Sequence, residues 1–367
     1  MKIFIPQIEP YINEQELAYL KEAIDSTYVT EHTLTHDFEE RIKELTGAKY
    51  AVAMCNGTAA LFCCLKALGI GHGDEVIVPN LTFIATANAV IMAGATPVLC
   101  DVKAHDLSLD LEKARDCITV RTKAIMPVHL YGFSADILPV IRLANEFGLK
   151  VVEDAAQGVG VKRHGYHTGT FGDLGVLSFY GNKTITCGEG GVVITNSKEL
   201  RDKCYQLKNH GRSSKGVFIH ETVGFNFCFT EMQAAVGLAQ LDKLPAIIKA
   251  KADIRYNYVN SLAELDNCLV PLQPDGDTEP VYWFTSFLTS RKDELKAFLL
   301  KEGIQTRDFF YPLDKQPCYN ESNVVKGSTF EVSHKLYEQG ISLPSSYSLN
   351  WGDQAMVVDA IRRFFKE

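Results

Sequence analysis

From about residue 35 to residue 245, short apolar runs rich in β-branched residues alternate with stretches whose apolar positions recur every three or four residues. That alternation predicts buried, mostly parallel strands joined by helices on both faces of one sheet, an α/β fold. Seven strands are expected: Tyr50–Met54, Glu75–Val78, Pro97–Val102, Ala124–Val128, Lys150–Asp154, Gly175–Tyr180 and Gly191–Thr195. Only a glycine-rich loop separates the last two, too little chain for a helical crossover, so that pair is expected to be antiparallel.

Among the helices, one should begin near Thr35, present Phe38, Ile42 and Leu45 on one face and stop at Gly47. Others are expected over Ala59–Leu68, Ala85–Ala93 and Ala135–Phe147. Thr230-Glu231-Met232-Gln233 has the spacing of a capping box and opens a helix that should run through Leu241 and past Ile254. Beyond about residue 250 the pattern changes to strand (Tyr282–Leu288), helix (Lys292–Lys301), strand (Gln305–Phe310) and a closing helix (Asp353–Phe365). The expected plan is a large α/β domain over residues 1–245 and a small C-terminal α+β domain over 246–367.

Composition narrows this picture. The 367 residues are 46% hydrophobic and 22% charged, ordinary for a globular chain. No apolar run approaches the roughly 18 residues of a membrane span, and the first residues turn polar too soon for a signal peptide, so a cytoplasmic protein is expected. A net charge of −8 argues against nucleic acid as a partner. Ten cysteines lie mostly within apolar runs and form no CxxC pair, which favours reduced core thiols over disulfides or a metal site.

Candidate chemistry gathers at strand ends. Lys183 sits in Ser178-Phe179-Tyr180-Gly181-Asn182-Lys183-Thr184-Ile185-Thr186-Cys187-Gly188-Glu189-Gly190-Gly191, a loop between two apolar strands. A lysine near buried surface loses its preference for charge, as an imine-forming amine must, although most lone lysines are simply solvated. Lys150-Val151-Val152-Glu153-Asp154-Ala155-Ala156-Gln157 sets two acids at a strand's C-terminal end, where α/β sheets bind ligands, and Asp154 is preferred over Glu153. Cys55-Asn56-Gly57-Thr58-Ala59 reads as a small-residue turn into a helix start, a site for phosphate at Gly57 and Thr58, with Ser178 as a further ligand. Phe83 follows another strand end and suits either a ligand ring face or the core. An amine, an acid, a phosphate turn and an aromatic cover are together what a pyridoxal 5'-phosphate site requires.

These segments resemble the DegT/DnrJ/EryC1/StrS sugar aminotransferases, pyridoxal phosphate enzymes of fold type I (aspartate aminotransferase-like), over nearly the whole chain. The resemblance implies that Lys183 forms the Schiff base, Asp154 meets the pyridine nitrogen and Gln157 lies near the phenolic oxygen. It also implies that Gly57, Thr58 and Ser178 hold the phosphate, Phe83 stacks on the ring, and Asn226 reaches the phosphate of a neighbouring subunit in a homodimer. L-glutamate is the implied donor, with pyridoxamine 5'-phosphate as the intermediate cofactor form. The segments Phe179–Thr186 and Arg307–Pro312 look most like the branch that aminates a 4-keto-6-deoxy hexose on GDP. Two departures bear on substrate identity: Cys228 stands where an arginine is common, and Asp314 where histidine is frequent.

A nucleotide diphosphate on an acidic protein needs a local positive patch, and Lys208-Asn209-His210-Gly211-Arg212-Ser213-Ser214-Lys215 with Arg307 is the candidate. Glu189 and Tyr311 complete the expected substrate contacts, and no metal is expected. Three other readings compete: an aminotransferase for another phosphorylated or small keto compound, a sugar dehydratase, and a non-catalytic binding protein of the same fold. Lys183 disfavours the dehydratase, which in this family carries histidine there. A nicotinamide-dependent oxidoreductase is disfavoured because Asn56-Gly57-Thr58-Ala59-Ala60 lacks the GxGxxG spacing.

Overall fold

A computed structural model describes residues 4–213, 216–320 and 324–366. Helices α1 (Glu14–Asp25) and α2 (Thr33–Thr46) precede β1 (Tyr50–Met54), and α3 (Gly57–Ala67) returns to β2 (Glu75–Pro79). Helix α4 (Ala85–Met92) leads to β3 (Thr96–Cys100), α5 (Leu111–Asp116) to β4 (Thr122–Ile125) and α6 (Ile137–Phe147) to β5 (Lys150–Asp154). Two short strands, β6 (Lys162–Arg163) and β7 (Tyr166–His167), come before β8 (Leu174–Ser178) and β9 (Gly191–Thr195). Helices α7 (Lys198–Lys208) and α8 (Glu231–Ser261) lead into β10 (Val270–Pro271), β11 (Thr278–Glu279), β12 (Thr285–Leu288), α9 (Lys292–Lys301) and β13 (Arg307–Asp308). The chain closes with β14 (Val325–Lys326), α10 (Glu331–Gln339), β15 (Gly340–Leu343) and α11 (Trp351–Lys366).

The main sheet has the order β1-β9-β8-β5-β4-β2-β3-β14. Strand β9 runs antiparallel to β1 and β8, as the short loop requires, and the remaining pairings are parallel. The seven expected strands are therefore joined by an eighth. Strand β14 has only two residues and no apolar run to announce it, because its pairing with β3 comes from the path of the returning chain.

Each central strand feeds two cores. Val176 and Val193 pack with Leu61, Leu65 and Val90 of α3 and α4, while Leu177, Val192 and Ile194 pack with Phe38, Ile42 and Leu238 of α2 and α8. This two-sided burial is why the strands read as unbroken apolar runs. A second, four-stranded sheet, β10-β12-β15-β13, is antiparallel and covered by the end of α8, by α9 and by α11 through Tyr258, Leu299 and Phe364. Helix α8 runs without a break across residue 245, and Pro245 lies inside it. Among the described residues no helix is long and apolar enough to cross a membrane.

Strand β1 is an edge of the sheet, and side chains close its outer side. The Ala53 N–H donates to Glu39 Oε1 at 2.8 Å, and Lys208 Nζ donates to the Ala53 carbonyl at 2.9 Å. This fixes the strand that ends at the Asn56-Gly57-Thr58 turn, and it removes an open ladder edge.

The α2 start is held in a similar way from a distant part of the chain. The Glu231 carboxylate accepts from the N–H groups of His32, Leu34 and Thr35, at 2.7 to 2.9 Å, and from the Thr35 hydroxyl. Helix α1, which the apolar pattern did not announce, carries its own capping box between Asn13 and Glu16. Glu231→Ala should strip α2 of its cap and lower stability by about 2–3 kcal/mol, read as a lower urea midpoint with an unchanged slope. An unchanged midpoint would mean that water replaces the carboxylate at no cost.

Candidate active site

The C-terminal ends of β1, β2, β5 and β8 open on one cavity of about 520 Å³, closed on its far side by residues of the second sheet and the loop before it. Strand β1 turns through Asn56 into α3, and the Asn56 side chain caps that helix by accepting the Ala59 N–H at 2.9 Å. Gly57 and Thr58 then present the first turn of α3 to the cavity, where N–H groups have no partner within the helix. A Cβ on Gly57 would lie 3.2 Å from Ser178 Cβ and 3.3 Å from its Oγ, so glycine is what lets the turn close on the end of β8. This is a cradle for an anionic group, with the helix dipole aimed into it.

Strand β5 supplies the acids, and their environments separate them. Glu153 is fully buried and spent on structure, accepting from the N–H groups of Gly169, Phe171 and Gly172 and pairing with His129 Nε2 at 2.9 Å. The Ala135 N–H donates to His129 Nδ1, so the ring carries its proton on Nε2 and donates it to Glu153. Asp154 faces the cavity, accepting from the Thr86 hydroxyl at 2.7 Å and the Ala156 N–H at 3.2 Å. Burial raises its pKa above the ordinary carboxylate range. A cationic partner would act in the opposite sense and favour its charged form.

Lys183 lies across the cavity from the α3 turn. Burial of its amine pushes the pKa down to about 7, against the favourable field of Asp154 and with the unfavourable field of Arg307. Its Nζ sits 4.1 Å from the centre of the Trp283 ring. The indole Nε1–H donates to the Asn182 carbonyl at 2.6 Å, and Lys251 Nζ donates to the Trp283 carbonyl at 3.2 Å and the Ser345 carbonyl at 3.0 Å. Gln157 Oε1 accepts the Tyr131 N–H at 2.8 Å, which leaves its amide NH₂ as a donor.

Of the expected site residues, the cavity gathers Lys183, Asp154, Gly57, Thr58, Phe83, Gln157, Ser178, Glu189 and Arg307. Five lie outside its lining. Lys208 is fully buried and paired with Glu31 at 2.9 Å and Glu39 at 3.7 Å; burial opposes its charge, yet these acids hold its pKa above the ordinary value. It closes a strand edge, and the expected anion patch does not include it. His210 and Arg212 sit at the surface end of α7, where Arg212 bonds Asn209 and stacks on Phe218. Ser214 and Lys215 of that segment lie outside the described residues. Asn226 is exposed and bridges to Asn209, and Tyr311 is exposed against Tyr337. The two departures have internal partners: Cys228 Sγ donates to the Lys208 carbonyl, and Asp314 accepts from Asn80 and His334.

Trp283, Phe310, Tyr180 and Asn182 line the cavity without having been singled out. Tyr180 and Asn182 flank Lys183 and were legible as neighbours, whereas Trp283 and Phe310 come from the far end of the chain, and nothing in their local pattern points inward. Among the described residues no group of three or more His, Cys, Asp or Glu could hold a metal ion.

Comparison with known proteins agrees with this geometry. The DegT/DnrJ/EryC1/StrS aminotransferase family matches residues 10–362. The chain belongs to that family. It is accordingly an aminotransferase of fold type I, and enzymes of the family use pyridoxal phosphate. It is 38% identical to the GDP-perosamine synthase of Escherichia coli O157:H7 and 37% identical to that of Vibrio cholerae, over 98–99% of this chain and 99% of each relative. A UDP-N-acetyl-3-dehydro-alpha-D-glucosamine 3-aminotransferase of Acidithiobacillus ferrooxidans is 38% identical over 89% of this chain and 87% of its own. Among solved structures, DesV of S. venezuelae in complex with a ketimine intermediate superposes with a TM-score of 0.92 at 32% identity, covering 99% of both chains. An aminotransferase of the family from Brucella abortus gives 0.91 at 30% identity, over 96% of both.

Lys251 offers a test of the cavity's surroundings. Burial lowers its pKa to about 7 from the ordinary 10.5, so between those values the unfolded chain binds more protons than the folded one. Stability therefore rises with pH across that window, and below it the full cost of the buried charge is carried. Lys251→Met should flatten the rise of the melting temperature across the same window relative to the parent. Parallel pH dependences would show that Lys251 titrates like an exposed lysine.

Proposed function

We propose that this chain transfers the amino group of L-glutamate to the keto carbon of a nucleotide-linked deoxy sugar, with GDP-4-keto-6-deoxymannose as the acceptor type. The observation that carries the reading is a buried, low-pKa lysine in the cavity of a chain 37–38% identical, end to end, to two GDP-perosamine synthases. The cavity fits pyridoxal phosphate: a helix N-terminus closed by Gly57 on Ser178 for the phosphate, a buried carboxylate for the ring nitrogen, and an amine for the aldehyde. When bound, that cofactor supplies an electrophilic carbon and a protonated ring that accepts the electron pair of the deprotonated donor carbon.

The protein's own groups divide the work. Lys183 would hold the cofactor covalently, yield its place to the amine of glutamate, and then, as base, take the proton from the donor's α-carbon and, as acid, deliver it to the cofactor carbon that had been the aldehyde. A pKa near 7 suits both duties, because each protonation state is accessible near neutral pH. Asp154 would keep the ring nitrogen protonated, while Thr86 and the Ala156 N–H fix its direction. Gly57, Thr58 and Ser178 would bind phosphate, Gln157 the phenolic oxygen, and Phe83 would cover one face. Arg307 would meet the acceptor's diphosphate or the donor's carboxylate, and Glu189 would border the acceptor.

Asn226 lies exposed and away from its own cavity, which supports a homodimer in which it reaches the site of a second copy. His210 and Arg212 share that surface and would join it there. Lys208 has no part in this reading, since its charge is already matched. Amination at C3 of a UDP-linked sugar is the second reading, favoured by the 38% identity to the Acidithiobacillus relative.

Purified protein reconstituted with pyridoxal phosphate should show a visible absorption band that bleaches on addition of L-glutamate. Lys183→Ala should lose the glutamate-driven change by roughly 10²–10⁴-fold in rate. A variant that bleaches as fast as the parent would remove Lys183 from the mechanism. Turnover on GDP-4-keto-6-deoxymannose, set beside a UDP-linked 3-keto sugar, separates the two acceptor readings. Arg307→Ala should raise the acceptor KM roughly 10- to 100-fold if the guanidinium grips the diphosphate.

A further inference from the structure

Trp283 lines the cavity and has no role in the reading above. The residue is 2% exposed, and its position is fixed from several directions at once. Lys251, from the middle of α8, donates to its carbonyl. Gly132, at φ +89°, leaves the 281–283 segment room to pass: a Cβ there would fall 1.7 Å from the Val281 carbonyl oxygen and 2.8 Å from the Trp283 nitrogen. Phe284 stacks on the indole at 4.0 Å between ring centres. A side chain held this way offers a rigid face.

That face meets Lys183. The amine sits 4.1 Å from the indole centre, a distance at which the ring's negative face attracts an ammonium. The same indole binds the carbonyl of Asn182, the residue before the lysine, through Nε1–H. One side chain thus holds both the backbone and the tip of the lysine.

We propose that Trp283 positions the Lys183 amine whenever that amine is not covalently engaged, its indole face receiving the ammonium while its N–H anchors the lysine's loop. The inference rests on Lys183 being the proton-carrying amine. A lysine released from a covalent bond has four rotatable side-chain torsions, and its amine would wander from the reacting carbon or pair with the nearest carboxylate. The indole gives it one resting place that attracts the charged form without quenching it as a carboxylate would. The charged groups facing Lys183 across the cavity are Asp154, Arg307 and Glu189, and Lys251 lies behind Trp283. Asp154 accepts from Thr86 and Ala156, and the lysine tip lies over the indole.

The chain has only two tryptophans, which makes the contact measurable without turnover. In ligand-free Trp351→Phe, Lys251→Met protein, which lacks both the exposed tryptophan of α11 and the second buried lysine beside Trp283, the fluorescence of Trp283 should titrate with a midpoint near the Lys183 pKa of about 7. Adding Lys183→Met should abolish that titration; its survival would overturn the contact. In the loaded enzyme, Trp283→Leu removes the attraction for the ammonium, so the acid limb of the single-turnover rate with saturating glutamate should move roughly 0.5–1.5 pH units lower. Trp283→Phe keeps a π face and loses only the N–H, and should stay closer to the parent limb. A rate that falls equally at every pH, with the limb unmoved in both variants, would reduce Trp283 to packing and sink the proposal. Loss of glutamate chemistry in Trp283→Leu together with retained chemistry in Lys183→Ala would instead indict the lysine assignment itself.

Discussion

The structure depends on keeping one lysine amine in a cavity, close to neutrality, beside an acid with which it must not simply pair. An amine and a carboxylate left alone in a low-dielectric pocket collapse into an ion pair, and each then loses its chemistry. Here the acid is claimed by other donors. Asp154 takes the Thr86 hydroxyl and the Ala156 N–H, and the lysine tip lies on an indole. Burial then acts on both groups in opposite senses, raising the acid and lowering the amine to about 7, where both protonation states of the amine are accessible near neutral pH.

Holding the groups apart is a task for the sheet. Glu153, next to Asp154 and pointing the opposite way, binds three backbone N–H groups of the 169–172 loop and the His129 ring, which locks the end of β5. On the sheet edge, Glu39 and Lys208 close the exposed side of β1 at Ala53, two residues before the cradle begins at Cys55. Two ion-bearing side chains that look like surface chemistry in the sequence are therefore scaffolding. A turn so close to Ser178 that a Cβ on Gly57 would fall 3.2 Å from the serine Cβ tolerates little slack in the strands that carry the two residues.

Much of this was legible from the sequence, and the boundary is physical. Buried strands announce themselves as apolar runs because both faces need covering, and the amine, the acid and the phosphate turn stand at their ends, where the fold places ligands. Strand β14 was hidden because two residues carry no periodicity. The strand expected over Gln305–Phe310 shrank to Arg307–Asp308, since only those residues find a partner in β15. Lys208 was misread because a basic residue in a polar stretch looks solvated, and only the tertiary approach of Glu31 and Glu39 reveals that it is buried. Trp283 was missed for the converse reason: an aromatic in an apolar run looks like core, and which atoms it faces is not a local property.

The side of the cavity that carries Arg307 follows another logic. Arg307 comes from β13 and Phe310 from the chain just after it, and the Phe310 N–H donates to the hydroxyl of Tyr131, whose own N–H donates to Gln157. A short chain of hydrogen bonds thus joins the residue expected at the cofactor's phenolic oxygen to the segment just after the strand that brings Arg307 to the cavity. Beyond it, Asn80 exchanges two hydrogen bonds with Asp314, one from its side-chain amide and one to its side-chain carbonyl, tying the segment after β13 to the end of β2 near Phe83. His334 binds the same carboxylate at 2.9–3.0 Å, so Asp314 is consumed in fastening this wall. The wall is therefore held to the cofactor half by polar bonds at discrete points. On the reading proposed above, the acceptor would meet Arg307 and Phe310, which this wall brings to the cavity.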